Sequence, residues 1–262
     1  MKKALLTISF GTTYTEARER NIDACERRLA AAFPDRVAFR AFTSGMVLRK
    51  LAQRDGLFID SPQQALEKLW RQGYRDVAIQ SLHIINGDEY EKILHHAHAW
   101  RGRFDRLHIG APLLNDERDY GRLMAALQAQ MPAPAEDERV VFMGHGTGHH
   151  AFAAYACLDH MLDARGIPAL IGAVESYPDL QLVIARLKTQ PVRKVHLMPL
   201  MLVAGDHAVN DMASDKPDSW KSRLQGAGYE CRCWVQGLGE NPLVQQLFVD
   251  HLLDRVPAEV TL

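Results

Sequence analysis

The chain has 262 residues, which is long enough to bury the core of one large domain or of two modest ones. Hydrophobic residues make up 47% and charged residues 24%, a composition that excludes a disordered chain. With 31 basic and 32 acidic side chains, no overall charge attracts nucleic acid or an anionic membrane, so we expect neither as a partner.

The amino terminus and the cysteines bear on localisation. The stretch MKKALLTISFGTT has two lysines and a short apolar run, but Thr7 and Ser9 interrupt that run, so it predicts a first strand rather than a secretion signal. No apolar stretch approaches the roughly 18–20 residues that span a bilayer. The four cysteines form no C-x2-C pair, which argues against a disulfide framework or a structural zinc site. We therefore expect a cytoplasmic protein.

Short β-type runs alternate with amphipathic helical stretches along the whole chain. The runs predict strands near residues 3–9, 37–42, 76–82, 105–110, 139–144, 168–174, 194–200 and 229–235. Helical periodicity lies between them, as in EARERNIDACERRLAAAF, SPQQALEKLWRQGY and GRLMAALQAQM. This alternation predicts an α/β fold with parallel sheets that helices cover on both faces.

The two halves of the chain also match each other in order. The matched positions are Gly11 with Gly146, Ala41 with Ala173, Ser44 with Ser176, and the segment LHIINGD with LMLVAGD. The first half carries extra residues in GMVLRKLAQRDGLFID, where an inserted helix fits. We therefore predict two similar Rossmann-like domains, each with a four-stranded parallel sheet, at residues 1–130 and 138–262. The segment PAPAEDE is the predicted linker, and the helix after GLGENP is a candidate to return to the first domain.

Function is expected where the matching halves differ, because ligands of parallel α/β sheets bind beyond the carboxyl ends of the strands. At these ends Phe10 matches His145, Thr43 matches Glu175, and Glu89 matches His207. Two imidazoles and a carboxylate are common ligands of first-row transition metals, and three protein ligands leave coordination positions open. The second half therefore predicts a metal site formed by His145, Glu175 and His207, in a cleft between the domains.

The glycine-rich loop GHGTG allows a second interpretation, as the turn of a dinucleotide fold in which Glu175 binds a ribose. However, His149 replaces the third glycine of G-x-G-x-x-G, and Glu175 lies further along the chain than such an acid usually does. The phosphate-binding pattern G-x-x-x-x-G-K-[ST] does not occur. The sequence therefore predicts neither NAD nor ATP as a cofactor.

Several long stretches resemble the sirohydrochlorin cobaltochelatases of the anaerobic pathway of cobalamin biosynthesis. They are FRAFTSGM, QSLHIINGDEYEKI, VVFMGHG, HHAFAAYACLDHM, GAVESYP and HLMPLMLVAGDHAVNDMASD. The resemblance implies a chelatase-like pair of α/β domains related by approximate twofold symmetry. It also implies a lyase-type enzyme that inserts Co2+, its substrate metal, into the tetrapyrrole sirohydrochlorin without ATP. The metal ligands of that family lie in GHG, VES and GDH, motifs that correspond here to His145, Glu175 and His207.

The implied reaction gives roles to further residues. Two pyrrole protons must leave, so we expect His145 and His207 to be catalytic as well, with at least one acting as a base. Glu89 is a weaker candidate for proton removal or metal delivery, and it is equally explained as a first-turn acid that complements a helix dipole. The predicted tetrapyrrole contacts are Ser9, Phe10, Gly11, Thr12 and Gly87 in the first half and Met201, Leu202 and Val203 in the second. Core packing is the alternative role of some of these apolar side chains.

Three alternatives to cobalt insertion stay open at this point. The first is a related chelatase for Fe2+ or Ni2+, because histidine and carboxylate ligands do not choose among these ions by affinity alone. The second is a metallohydrolase, and the third is a nucleotide- or tetrapyrrole-binding module without catalysis. The sequence does not decide the oligomeric state, and a homo-oligomer is compatible with it.

Overall fold

The computed structural model describes residues 1–257, which form two parallel four-stranded sheets. The first sheet has the order β2-β1-β3-β4, with β1 at Lys2–Ser9, β2 at Val37–Phe42, β3 at Tyr74–Ser81 and β4 at Arg106–Gly110. The second has the order β6-β5-β7-β8, with β5 at Glu138–Gly144, β6 at Ala169–Ala173, β7 at Lys194–Leu200 and β8 at Glu230–Cys233. The identical strand order confirms the predicted α/β fold with two similar parallel sheets.

Helices connect the strands and cover the sheets. They are α1 at Thr15–Ala32, α2 at Gly45–Asp55, α3 at Pro62–Arg71, α4 at Asp88–Trp100, α5 at Glu117–Gln130, α6 at Ala153–Ala164, α7 at Leu180–Leu187, α8 at Trp220–Gly226 and α9 at Pro242–Leu253. The inserted helix predicted in the first half is α2, which begins where the Ser44 hydroxyl accepts a hydrogen bond from the Val47 amide. A short π-helix, His207–Met212, follows β7.

Contacts along the chain define two units, Met1–Asn115 with the segment from Pro242 onward, and Asp116–Asn241. The predicted boundaries, 1–130 and 138–262, differ from these units at two helices. Helix α5 packs in the second unit against α6, and α9 packs in the first unit against α1, β3 and β4. The amphipathic pattern of a helix shows that it buries one face, but not which sheet it covers.

The central strands are buried on both faces, which explains their almost continuous apolar sequences. In β1 every residue from Ala4 to Ser9 is buried, and in β5 the same holds from Val140 to Gly144. Side chains of alternate residues on one face of each sheet pack into an apolar core, which includes Leu6 and Ile8 of β1 in the first sheet and Val141 and Met143 of β5 in the second. This packing fixes the strand register and with it the positions of the loops at the carboxyl ends.

The loop after the first strand of each sheet depends on a glycine with positive φ. Gly11 has φ +91°, and a Cβ atom there would lie 2.5 Å from the Phe42 ring. Gly146 has φ +90°, and a Cβ atom there would lie 2.8 Å from the Ser176 amide nitrogen and 2.9 Å from that of Glu175. L-residues rarely adopt this backbone conformation, and real Cβ atoms do not approach a backbone so closely. The matched glycines therefore have the same backbone conformation, and at each of them a neighbouring residue lies where a Cβ atom would stand.

The carboxyl end of the first sheet carries a small hydrogen-bonded group around His83. Its Nδ1 atom lies 3.0 Å from the Ser81 hydroxyl, and its Nε2 atom lies 3.4 Å from the Thr43 hydroxyl. Burial lowers the pKa of His83 to about 4. The ring is therefore neutral near neutral pH and joins β2 to β3 through its hydrogen bonds.

Replacing Gly146 with alanine is expected to lower the free energy of unfolding by roughly 1–3 kcal/mol, because both the backbone strain and the contact with residues 175 and 176 must be relieved. Urea unfolding followed by circular dichroism measures this. Gly148→Ala is the matched control, since a Cβ atom there meets nothing within 4 Å and the backbone is not in the positive-φ region. Equal stability of the two variants would contradict the proposed constraint.

Replacing His83 with glutamine is expected to flatten the pH dependence of stability between roughly pH 6.5 and pH 4. The folded-state pKa lies below that of an unfolded histidine, so the unfolded chain binds the proton first and wild-type stability falls as the pH decreases through this window. Between neutral pH and pH 4, the free energy of unfolding of the wild type should fall by about 1–3 kcal/mol more than that of the variant. Urea unfolding across this range tests it, and parallel profiles for both proteins would refute it.

Candidate metal centre

The three predicted ligands follow three neighbouring strands of the second sheet. His145 comes directly after β5, Glu175 lies in the loop after β6, and His207 opens the π-helix that follows β7. Since β5 lies between β6 and β7, the carboxyl ends of these strands are side by side. Residues that are distant in sequence thereby reach one edge of the sheet.

The side chains of these three residues converge. One potential ligand atom from each of His145, Glu175 and His207 lies within 4.8 Å of the others. The Nδ1 atom of His145 is 3.6 Å from the Glu175 carboxylate, and the two imidazole centroids are 4.5 Å apart with nearly perpendicular planes. Metal–ligand bonds of about 2.0–2.2 Å keep ligand atoms within roughly 4 Å of one another. Small side-chain movements are therefore enough to surround an ion.

The backbone ties two of these ligands together. The Glu175 amide donates to the His145 carbonyl at 3.0 Å, and the Val174 amide donates to the Gly144 carbonyl at the same distance. The Thr147 amide donates to the Ser176 hydroxyl at 3.2 Å. These bonds continue the pairing of β5 with β6 beyond the strands, so the His145 and Glu175 loops are held at a fixed separation.

Tyr155 of α6 packs against the loop that carries His145. Its ring fills the space next to Gly144, where a Cβ atom would lie 2.5 Å from the ring, and its hydroxyl accepts a hydrogen bond from the Gly146 amide at 3.4 Å. Burial raises the pKa of Tyr155 to about 12, so the phenol stays protonated near neutral pH. The sequence carries no signal for this role, because nothing in the pattern of α6 distinguishes Tyr155 from an ordinary core tyrosine.

His207 has a carboxylate partner within its own π-helix. Its Nδ1 atom lies 2.5 Å from Oδ2 of Asp211. Asp211 was also missed in the sequence, although its spacing of four residues from His207 would indicate such a contact in a segment predicted to be helical. No helix was predicted there, because the segment is short and follows a glycine.

All three converging side chains are accessible from solvent. Exposure is 40% for the side chain of His145, 54% for that of Glu175 and 31% for that of His207. An ion can therefore reach the group without a change in the core. The accessibility also leaves one side of the group open to a second reactant.

Glu89 lies in the first turn of α4, where it joins two other acids, Asp88 and Glu91. One of its carboxylate oxygens pairs with the Lys92 ammonium, and the other is buried without a hydrogen-bond partner among the described residues. The position agrees with an acid that complements the helix dipole. The helix-dipole explanation does not account for the buried Glu89 oxygen that has no partner among the described residues.

The residues predicted to contact a tetrapyrrole divide into exposed and buried sets. Phe10 is 40% exposed, and Met201 and Val203 are partly exposed. In contrast, Ser9, Thr12 and Leu202 are buried. Gly11 and Gly87 lie at the loops that precede α1 and α4. These contacts stay predictions.

No helix within residues 1–257 is long and apolar enough to cross a membrane. The four cysteines are free in the structure.

Residues 3–256 match the family model described as cobalt chelatase (CbiK). The sirohydrochlorin cobaltochelatase of Salmonella typhimurium strain LT2 is 62% identical over 252 residues, which cover 96% of each chain. The sirohydrochlorin cobaltochelatase CbiKC of Nitratidesulfovibrio vulgaris strain Hildenborough is 37% identical over 260 residues, which cover 98% of this chain and 92% of the relative.

Two solved structures share the fold at low sequence identity. SirB from Bacillus subtilis with Fe3+ matches with a TM-score of 0.62 and 15% identity, over 96% of this chain and 94% of SirB. A multi-domain protein of Deinococcus radiodurans with structural similarity to chelatases matches with a TM-score of 0.58 and 14% identity, over 96% of this chain and 54% of its own. Together with the whole-chain match to the family model, these findings confirm the family and fold predicted from the motifs, and the chain belongs to the cobalt chelatase (CbiK) family.

Proposed function

We propose that the protein is a cytoplasmic sirohydrochlorin cobaltochelatase that inserts Co2+ into sirohydrochlorin for cobalamin biosynthesis without ATP, and that His145, Glu175 and His207 bind the incoming metal. The observation that carries this proposal is the convergence of these three side chains, to within 4.8 Å, at the end of one sheet. The relative of 62% identity, a sirohydrochlorin cobaltochelatase, supports the choice of metal and tetrapyrrole.

The ligand set suits Co2+ as a substrate that is bound and then released. Imidazole nitrogens bind first-row divalent ions well, and the Glu175 carboxylate offsets part of the ionic charge. Three protein ligands leave positions for water and then for the pyrrole nitrogens. Since the three side chains are partly exposed, the bound ion stays accessible to the macrocycle.

Insertion releases two protons, because the reaction converts Co2+ and the metal-free ring, with its two pyrrole N–H groups, into the cobalt complex and 2 H+. An imidazole that gives up the metal regains a lone pair and is able to accept one of these protons. His145 and His207 are therefore proposed as catalytic residues as well as ligands. Glu89 is the further candidate, because one of its oxygens is buried without a partner among residues 1–257.

The apolar faces and peripheral carboxylates of the tetrapyrrole need different contacts. We assign apolar contact to Phe10, Met201 and Val203, whose side chains are at least partly exposed. Backbone amides of the loop at Gly11 and before α1 are assigned to substrate carboxylates, because helix N-termini favour anions. Gly87 is the weakest candidate, since the three acids in the first turn of α4 oppose a second anion there.

The histidines are tested by following the absorption spectrum of sirohydrochlorin during metal insertion. His145→Ala and His207→Ala should each slow cobalt insertion by about 10²-fold or more, because each removes both a ligand and a proton acceptor. Glu175→Gln should have a smaller effect, since an amide still offers an oxygen. His160→Ala, a change of an exposed histidine on α6, is the control and should retain wild-type rates. Wild-type rates in both ligand variants would remove the proposed site, and faster insertion of Fe2+ or Ni2+ would change the assigned metal.

Cobalt affinity without tetrapyrrole should fall as the pH is lowered, because protons compete with the ion for imidazole lone pairs. The His207→Ala protein should show a shallower dependence, since one fewer imidazole competes for protons. Calorimetry in buffers between mildly acidic and neutral pH measures both proteins. Identical slopes would exclude His207 as a ligand.

A further inference from the structure

The contact between His207 and Asp211 determines which nitrogen of the histidine is free. A carboxylate is only an acceptor, so its approach to within 2.5 Å of Nδ1 requires the proton on that nitrogen. In the neutral ring the lone pair then lies on Nε2. The second nitrogen of His207 is therefore the one prepared to bind a metal.

The π-helix holds this pair in place. Ala208 and Met212 are buried in the core of the second unit, and they anchor the two ends of the segment that carries His207 and Asp211. The Ser214 hydroxyl donates to the Asn210 carbonyl at 2.6 Å and so secures the carboxyl end of the same turn. The backbone that carries Asp211 is thus held in place, and its carboxylate contacts the His207 ring within the same turn.

The two histidines of the candidate metal centre obtain their partners differently. The Nδ1 atom of His145 lies 3.0 Å from the carbonyl oxygen of the adjacent residue Gly146, so the backbone contributes to the orientation of that ring. The Nδ1 atom of His207 contacts the side chain of Asp211 instead. A single substitution is therefore able to remove the partner of His207 while the ligand itself stays in place.

Resting on the function proposed above, we infer that Asp211 is a positioning residue for cobalt binding: its carboxylate accepts the Nδ1 proton of His207, fixes the ring tautomer and orientation, and presents Nε2 to the ion. A carboxylate on the far nitrogen of a metal-binding imidazole also increases the donor strength of that ligand. Asp211 itself does not belong to the group whose ligand atoms converge within 4.8 Å, so it acts through His207.

The tautomer of His207 in the metal-free protein gives the first test. Nitrogen-15 NMR near pH 8 distinguishes the two neutral tautomers, and the His207 signals are identified by their loss in His207→Ala. The wild type should carry its proton on Nδ1. Asp211→Ala should shift the population toward the Nε2–H form, whereas Asp211→Asn should retain the Nδ1–H form, because the amide oxygen is still an acceptor.

Cobalt affinity, measured by calorimetry without tetrapyrrole, gives the second test. Asp211→Ala should bind Co2+ about 10–100-fold more weakly than the wild type. Asp211→Asn should recover part of this loss. The matched control is Asp206→Asn, which removes the same charge next to the same π-helix but changes a side chain that accepts from Asn210 rather than from His207. It should bind Co2+ within about threefold of the wild type.

These measurements separate the inference from the proposed function. Unchanged affinity in His207→Ala would refute the metal site itself. A large loss in His207→Ala with wild-type affinity in Asp211→Ala would refute only the role of Asp211. A proton on Nε2 of His207 in the wild type would also refute that role, and this measurement needs no variant of Asp211 to fold. An equal loss in Asp206→Asn and Asp211→Asn would reduce the effect to charge alone and would likewise overturn the inference.

Discussion

The candidate metal centre depends on the close approach of the loops after β5 and β6. This approach is possible only because residue 146 is glycine, since any Cβ atom there would lie within 3 Å of the backbone of residues 175 and 176. With the side chain absent, the Glu175 amide reaches the His145 carbonyl, and the separation of these two candidate metal ligands is set by backbone hydrogen bonds. Tyr155 completes the support by filling the space beneath Gly144. The site thus has a rigid half, formed by His145 and Glu175.

The other half, formed by His207, has a different physical basis. His207 lies beyond a longer connection after β7 and is oriented by its own π-helix and by Asp211. No hydrogen bond between its backbone and the loops after β5 and β6 is seen among the described residues. A metal that is a substrate must leave its ligands during each turnover. A site with two ligands on a rigid framework and a third on a separate short helix allows one ligand to move without disturbing the other two.

Much of this architecture could be predicted from the sequence, because it follows from local patterns. The central strands are almost continuous apolar runs, and all eight strands were predicted to within two residues at either end. The matched glycines Gly11 and Gly146 were informative because a backbone with positive φ leaves little choice of residue. The convergence of the three ligands followed from strand adjacency, since a repeated fold brings matched loops to matched sheet ends. The whole-chain resemblance supplied the chemistry, which neither periodicity nor spacing specifies.

What could not be predicted depends on contacts between elements. The burial of Thr12 and Leu202 arises from the packing of their loops, and that of Ser9 from the position of its strand in the centre of the sheet. The unit to which α5 belongs depends on which sheet its apolar face covers, whereas the return of α9 to the first unit was a candidate from the sequence. The contact of Asp211 with His207 depends on the local helix, because four residues along an extended loop would place the two about 13 Å apart instead of in hydrogen-bond contact. The residues that orient a candidate ligand are therefore harder to predict than the ligand itself. The chemical type of a ligand follows from the identity of the residue, whereas its tautomer and orientation depend on contacts that form only in the folded chain.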